Sequence, residues 1–145
     1  ILEILQANEL QKQTGAQAFF LGQVRADIIK QNLVDYIDYS AYKPMAEATI
    51  AQLIHQIKEK YPLQSVTVKH SVGKVLAGKI SLLVVVTAKH RQIAFDSLEE
   101  LVHQVKYQVP IWKKEVMQDG SHRWVDECEH PYHQAHQCKN VHHSN

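Results

Sequence analysis

Apolar and polar positions follow two different periods in the first half of the chain. Residues 16–24 and 34–42 are rich in aromatic and β-branched side chains, which predicts two strands with a polar loop between them. From Pro44 the period becomes helical, and it predicts an amphipathic helix that ends at the Tyr61-Pro62 pair. The apolar stripe of this helix consists of residues at helical spacing, namely Ile50, Leu53, Ile54, Ile57 and Tyr61.

The next segment predicts two further strands. Residues 66–72 alternate between apolar and polar, so this strand should have one buried face and one solvent-exposed face, with His70 on the apolar side. Gly73 and Gly78 bracket a predicted turn. Residues 80–88, with the sequence ISLLVVVTA, are apolar almost throughout, which is typical of a central strand covered on both faces.

A second helix and a C-terminal hairpin complete the pattern. The helix carries one apolar stripe and should stop at Pro110, because proline removes a donor and clashes in a helix interior. The Asp119-Gly120 pair predicts a hairpin turn, and Trp112 and Trp124 are expected to face each other across it as core residues. Strands, helix, strands, helix and hairpin in this order predict an α+β fold with a mostly antiparallel sheet and two main helices.

The composition is that of an ordinary globular domain. The chain has 145 residues, of which 45% are hydrophobic and 21% charged, so one packed domain is expected. Sixteen basic against fifteen acidic side chains give a net charge of +1, which argues against nucleic acid or an anionic membrane as a partner. Any anion binding should therefore be local.

Compartment signals favour the cytoplasm. The longest apolar stretch, residues 80–88, is far shorter than the ~20 residues of a membrane-spanning helix. The first residues lack the basic region and cleavage site of a signal peptide, and we expect the numbering to start inside the natural chain. The two cysteines, Cys128 and Cys138, both lie near the end, which fits a reducing cytosol and leaves the core without a cysteine nucleophile.

The composition changes after Asp126. Residues 1–126 should form the folded domain, and residues 127–145 a tail rich in histidine and cysteine. The tail holds enough nitrogen and sulfur ligands for zinc, copper or nickel, but their spacing matches no standard zinc finger or ribbon. We therefore assign no metal site and take no function from the tail.

Two groups of cations stand at predicted ends of strands. Arg25 follows the first strand, where an arginine is more often simply solvated than bound to a ligand. His90 and Arg91 fall between the core strand and the second helix, where the free N–H groups and dipole of a helix N-terminus favour an anion. The second group is the better candidate for a phosphate site, although many such corners are only capped loops.

A third group of cations flanks the break at Pro110. Lys106 should lie in the last turn of the helix, where the helix dipole alone would explain a cation. In the following strand Lys113 and Lys114 must point to opposite faces, so one of the two faces inward. A partly buried lysine near other cations has a lowered pKa, as proton transfer near neutral pH requires, and Glu115 is a possible partner for Lys113.

Five short motifs occur in a fixed order along the chain. They are FLGQVR, YSAYKPMAE, TAKHRQIAF, VPIWKKE and DGSHRWV. Together, in this order and spacing, they resemble the large, catalytic subunit of molybdopterin synthase, and the resemblance extends over residues 15–125.

The resemblance implies an α/β-hammerhead fold and a homodimer. A small ubiquitin-like sulfur-carrier subunit would dock at each end of that dimer, giving a heterotetramer. The carrier's C-terminal Gly-Gly thiocarboxylate would enter a pocket, and sulfur would pass twice to cyclic pyranopterin monophosphate. This opens the cyclic phosphate and forms the dithiolene of molybdopterin, in the biosynthesis of the molybdenum cofactor. No bound cofactor is implied.

The resemblance also implies roles for the matching cations. Arg25, His90 and Arg91 would bind the phosphate and pterin of the substrate. Lys106 and Lys113 would be the catalytic lysines, which move protons and stabilise acyl and oxyanion intermediates. Because each well-placed donor contributes a few kcal/mol to stabilising a developing negative charge, five cations would suffice without a cysteine nucleophile.

The chain departs from the family pattern near the expected pocket rim and dimer contacts. Ser40 replaces a usual glutamate, Ser71 a usual arginine and Lys79 a usual acidic residue, and the loop after Arg25 lacks its usual glycine. Two other functions stay open. A non-catalytic paralogue could dock a ubiquitin-like tail without transferring sulfur, and a metal-binding protein could act through the His/Cys tail. The lysine pair argues against the first, and truncation after Asp126 would test the second.

Overall fold

A computed structural model describes residues 2–9 and 12–125 of the chain. The helices in these residues are α1 (Leu2–Glu9), α2 (Lys43–Lys60) and α3 (Arg91–Gln108). The strands in chain order are β1 (Ala16–Gln23), β2 (Ile28–Ile29), β3 (Asn32–Ala41), β4 (Leu63–His70), β5 (Gly73–Leu76), β6 (Ile80–Ala88), β7 (Ile111–Met117) and β8 (His122–Trp124). Within the described residues, no helix is both long and apolar enough to cross a bilayer.

The first sheet has the strand order β1-β6-β4, with both pairings antiparallel. β6 runs through its centre, and residues 81–88 are all buried. The predicted central strand is confirmed. A strand with a neighbour on each edge and both faces covered exposes no side chains to solvent, which explains its almost entirely apolar sequence.

Helices α2 and α3 pack against each other, and α3 also lies on β1 and β6. Their apolar stripes supply Leu53, Ile57 and Leu101 to the main core, where each is almost fully buried. Each of the two helices ends two residues before the proline that was predicted to stop it.

The second sheet has the order β2-β3-β7-β8, and β5 pairs with the middle of β3. All of its pairings are antiparallel. Strands β7 and β8 form the predicted hairpin, with Gly120 at a φ of +84° in the turn, a backbone conformation that favours glycine. The predicted α+β class with mostly antiparallel strands is thus confirmed.

A short connection ties the end of β1 to the second sheet. The Gly78 amide donates to the Val24 carbonyl at 2.7 Å, and the Val24 amide donates to the Lys79 carbonyl at 3.0 Å. Val24 packs with Tyr39 and Val75 in a second, smaller core. The ends of β1 and α3 and one face of β3 and β7 are thereby held around a common space.

The expected packing of the two tryptophans is wrong. Trp112 is 52% exposed and Trp124 is 60% exposed. They do not face each other, because Trp112 lies opposite Ser40 and Trp124 lies opposite Lys114. β8 is only three residues long, and its pairing with β7 puts Trp124 on the face of the sheet that points away from the cavity.

Three further differences involve short segments. Gly73 and Gly78 were predicted to bracket only a turn, but the four-residue strand β5 begins at the first of them. Helix α1 and the two-residue strand β2 were not predicted. Val72 lies outside the alternating strand and is exposed. These elements are too short for their side-chain pattern to establish a period.

Candidate active site

A cavity of about 550 Å³ lies where the two sheets meet. Residues of β1 and α3 form one wall, and residues of β3 and β7 form the other. Three of the five predicted site residues line this cavity, namely Arg25, Lys106 and Lys113. The volume is in the range of sites that bind small molecules.

Lys106 lies on the α3 wall, in the last turn of that helix. Its ammonium group lies 5.2 Å from the ring centroid of Phe20. Burial lowers the pKa of Lys106, and the positive charge of Arg25 lowers it further. The helix dipole favours a cation at this position, while the cavity wall makes the same cation less hydrated.

Lys113 lies on the opposite wall, in β7, directly across from Tyr39 of β3. Burial, followed by repulsion from Lys106, lowers the pKa of Lys113 to about 8, while Glu115 acts in the opposite direction. An amine with this pKa is partly unprotonated near neutral pH and can accept a proton or attack an electrophile. Lys113 is therefore the inward-facing lysine of the pair.

The neighbours of Lys113 in β7 have different partners. Lys114 points to the other face, where its ammonium lies 3.3 Å from the Asp38 carboxylate. Glu115 is buried and accepts a hydrogen bond from Arg123 Nε at 2.6 Å. Glu115 thus acts on Lys113 through its charge, and its carboxylate is also held by an arginine.

Arg25 lies at the cavity edge, immediately after β1 and Val24. Its guanidinium donates to Asp27 at 2.8 Å, and its side chain is largely exposed. The charge of Arg25 is close enough to Lys106 to lower the pKa of that lysine. The cavity therefore contains three cations within reach of one small ligand.

His90 and Arg91 lie at the other end of the first sheet. They follow Ala88, which pairs with Ala16 at the start of β1, whereas Arg25 follows the end of β1. Arg91 and Lys106 are fifteen residues apart in α3, which corresponds to about 22 Å along the helix axis. His90 and Arg91 are exposed at the N-terminus of α3, and a single chain does not bring them to the cavity.

Comparison with known proteins identifies the family. The chain matches the family described as MoaE protein over residues 2–108, which is more than half of its length. The chain belongs to the MoaE protein family. The molybdopterin synthase catalytic subunit of Staphylococcus aureus strain N315 is 38% identical over 110 residues, covering 76% of this chain and 73% of that protein. The protein of the same name from Staphylococcus epidermidis is 34% identical over 126 residues, covering 87% and 83%.

Solved structures of MoaE relatives have the same fold. The molybdopterin synthase of Staphylococcus aureus matches with a TM-score of 0.77 and 33% identity, over 84% of this chain and 89% of that chain. A complex of subunits 1 and 2 of molybdopterin-converting factor from Helicobacter pylori matches with a TM-score of 0.72 and 25% identity, over 90% and 84%. The resemblance inferred from the five motifs is confirmed.

The cavity of this MoaE family member also contains polar residues that were not predicted as part of the site. Tyr39 is buried and donates from its hydroxyl to Ser81 Oγ at 3.1 Å, and both residues line the cavity together with His70. One signal in the sequence could have indicated His70, because it was the one histidine on the apolar side of an alternating strand.

No group of three or more His, Cys, Asp and Glu side chains that could hold a metal ion occurs within residues 2–9 and 12–125. The tail, residues 127–145, lies outside the described residues, so its boundary and its affinity for metal stay predictions.

Proposed function

We propose that the chain is the catalytic subunit of molybdopterin synthase and acts as a sulfurtransferase. The observation that supports the proposal most directly is the lowered pKa of Lys113, about 8, in a cavity that this lysine shares with Lys106 and Arg25. Relatives that this chain covers over most of their length bear the name molybdopterin synthase catalytic subunit. We expect the reaction to take place in the cytoplasm.

The sulfur arrives on a partner protein. The related Helicobacter pylori protein was solved as a complex of two subunits, which supports a small-subunit partner here as well. We propose that this partner is a ubiquitin-like carrier whose C-terminal Gly-Gly thiocarboxylate enters the cavity. Three cations around the cavity favour an anionic end group. Both cysteines of the chain lie outside the described residues, so the described part of the chain contains no thiol that could carry the sulfur.

The cavity cations have separate roles in the proposed reaction. Lys113, with its lowered pKa, accepts and returns protons while sulfur passes from the carrier to cyclic pyranopterin monophosphate. Lys106 stabilises the negative charge that develops on the carrier's acyl group, and Arg25 binds the substrate phosphate. Two rounds of transfer open the cyclic phosphate and complete the dithiolene.

His90 and Arg91 require a second copy of the chain. They lie about 22 Å along α3 from Lys106, which is too far for one small substrate to contact both ends. We propose that the chain forms a homodimer in which the helix N-terminus of one copy, with His90 and Arg91, reaches the cavity of the other. With a carrier docked on each copy, the assembly is a heterotetramer.

Reconstitution tests this function. The purified chain, a thiocarboxylated carrier and cyclic pyranopterin monophosphate should yield the dithiolene product, followed by mass spectrometry. A carrier ending in an ordinary carboxylate serves as the control and should yield none. If the thiocarboxylated carrier binds and no product forms, the chain is a docking paralogue and not the enzyme.

A further inference from the structure

His70 lies in the wall of the cavity that contains Lys106 and Lys113. It is the last residue of β4 and is half-buried. Its ring packs edge-on against Tyr39, with ring centroids 5.0 Å apart and an interplanar angle of 72°. Because Tyr39 is directly opposite Lys113 in the β3–β7 pair, the histidine, the tyrosine and the lysine are neighbours on one wall.

One hydrogen bond fixes the tautomer of His70. Its Nδ1 lies 2.7 Å from the backbone carbonyl oxygen of Ser71. A carbonyl oxygen can only accept, so Nδ1 carries the hydrogen. The other nitrogen of the neutral ring, Nε2, then has a lone pair and is a proton acceptor.

The surroundings keep this imidazole neutral. Burial lowers the pKa of His70, the bond to the Ser71 carbonyl opposes that effect in part, and the positive charge of Lys113 lowers the pKa further. His70 therefore remains an uncharged base at neutral pH. The effect of Lys113 on His70 also indicates that the two groups are electrostatically coupled.

Other titratable groups around Lys113 are less suited to take its proton. Glu115 accepts a hydrogen bond from Arg123 Nε at 2.6 Å, and burial raises the pKa of the Tyr39 hydroxyl. Lys106 and Arg25 are cations, and a protonated ammonium or guanidinium group does not accept a further proton.

Three other acidic or basic side chains line the cavity from outside strands β3, β4 and β7. Asp27 pairs with Arg25 at 2.8 Å, and Glu99 and His103 lie one to two turns before Lys106 on α3. His70 is therefore the neutral base on the same wall as Lys113.

We propose that His70 is a positioning residue for Lys113. The Nε2 atom of His70 accepts the proton that Lys113 Nζ releases, and His70 then passes this proton to water. In this step an N–H bond of the Lys113 ammonium breaks and an N–H bond forms at Nε2. The ammonium becomes an amine and the imidazole becomes an imidazolium, so the total charge of the cavity does not change. The inference rests on the proposed function, in which the carrier tail fills the cavity and separates Lys113 from bulk water.

The coupling is measurable without turnover. Nuclear magnetic resonance titration of the full chain should find His70 as the Nδ1–H tautomer, with a pKa below that of an ordinary histidine. In Lys113→Met the pKa of His70 should rise, because the repelling charge is gone. In the control Lys114→Met, which removes a cation from the other face, it should stay unchanged. A His70 pKa that does not respond to Lys113→Met would overturn the proposal.

The relay itself requires turnover. His70→Asn keeps an N–H donor for the Ser71 carbonyl and removes Nε2, and it should lower the rate about 10²-fold, as for loss of a general base. In His70→Ala, added imidazole should restore part of the rate, whereas 1,2,4-triazole, which has the same shape and is far less basic, should not.

The outcomes separate this proposal from the proposed function. Full activity of His70→Asn, or equal rescue by the two azoles, would overturn the relay and leave the sulfurtransferase assignment intact. If the wild-type chain itself makes no product, the proposed function fails and the relay fails with it.

Discussion

At the scale of single residues, Lys113 and Lys114 are adjacent lysines of one strand that point to opposite faces of the sheet. Strand alternation predicts that one of the two faces inward. Which of them does so depends on the register of β7 against β3, where Lys113 lies opposite Tyr39. That register is set by pairing between strands distant in the sequence, and no local pattern specifies it. Tyr39 was missed as a site residue for the same reason.

The charge of Lys106 should control the protonation of Lys113. In Lys106→Met the aliphatic chain stays and the positive charge is lost, so the pKa of Lys113 should rise above about 8. Titration of the lysine amines by nuclear magnetic resonance measures this shift, with Lys114→Met as the control. Since the proposed reaction uses the unprotonated amine of Lys113, wild-type turnover should rise as the pH passes about 8. An unchanged Lys113 pKa in Lys106→Met would contradict the coupling.

At the scale of elements, long periodic segments were predictable and short ones were not. β6 and helices α2 and α3 have enough residues for an apolar run or stripe to define them. β5 is held by backbone pairing with β3, which leaves no clear trace in its four side chains. The prediction that the two tryptophans are core residues was wrong. It relied on the usual burial of large aromatic side chains, whereas Trp112 and Trp124 are exposed on the outer sheet face.

The core between α3 and the first sheet should dominate stability. Leu101 is fully buried, and Leu101→Ala should lower the free energy of unfolding by about 2–5 kcal/mol because it leaves a cavity. Ile28 is 74% exposed, and Ile28→Ala should cost about 0.5 kcal/mol or less. Chemical denaturation of both variants provides the comparison. Equal losses would contradict the assignment of the core.

At the scale of the whole molecule, the five predicted site residues fall into two groups. The motifs predicted all five residues, but motifs alone do not show which of the residues line the same cavity. Arg25, Lys106 and Lys113 share a cavity, while His90 and Arg91 lie at the opposite end of the first sheet. In the proposed function, a site that uses all five residues therefore requires two copies of the chain.

Mixed dimers test this arrangement. Lys113→Ala and Arg91→Ala chains should each be nearly inactive alone. When the two are unfolded and refolded together, half of the dimers are mixed and one of their two sites is intact, so activity should return to about a quarter of the wild-type level. If Arg91 acted within its own chain, both sites of a mixed dimer would be defective, and no activity would return.

The tail should be dispensable for sulfur transfer. The cations that match the family motifs all precede Val125, and in the proposed reaction the sulfur comes from another chain. A chain ending at Asp126 should stay folded and retain turnover. Any metal bound by Cys128 and the tail histidines should dissociate below about pH 6 as the imidazoles protonate. A folded but inactive truncation would show that the tail belongs to the active site.

The most direct test of the central claim is single-turnover sulfur transfer by Lys113→Ala compared with Lys114→Ala. The two variants remove adjacent lysines of one strand, and only Lys113 lines the cavity. With the thiocarboxylated carrier saturating, Lys113→Ala should lose at least about 10²-fold in rate while Lys114→Ala stays close to wild type. Transfer by folded Lys113→Ala at the wild-type rate, or equal losses in both variants, would contradict the account.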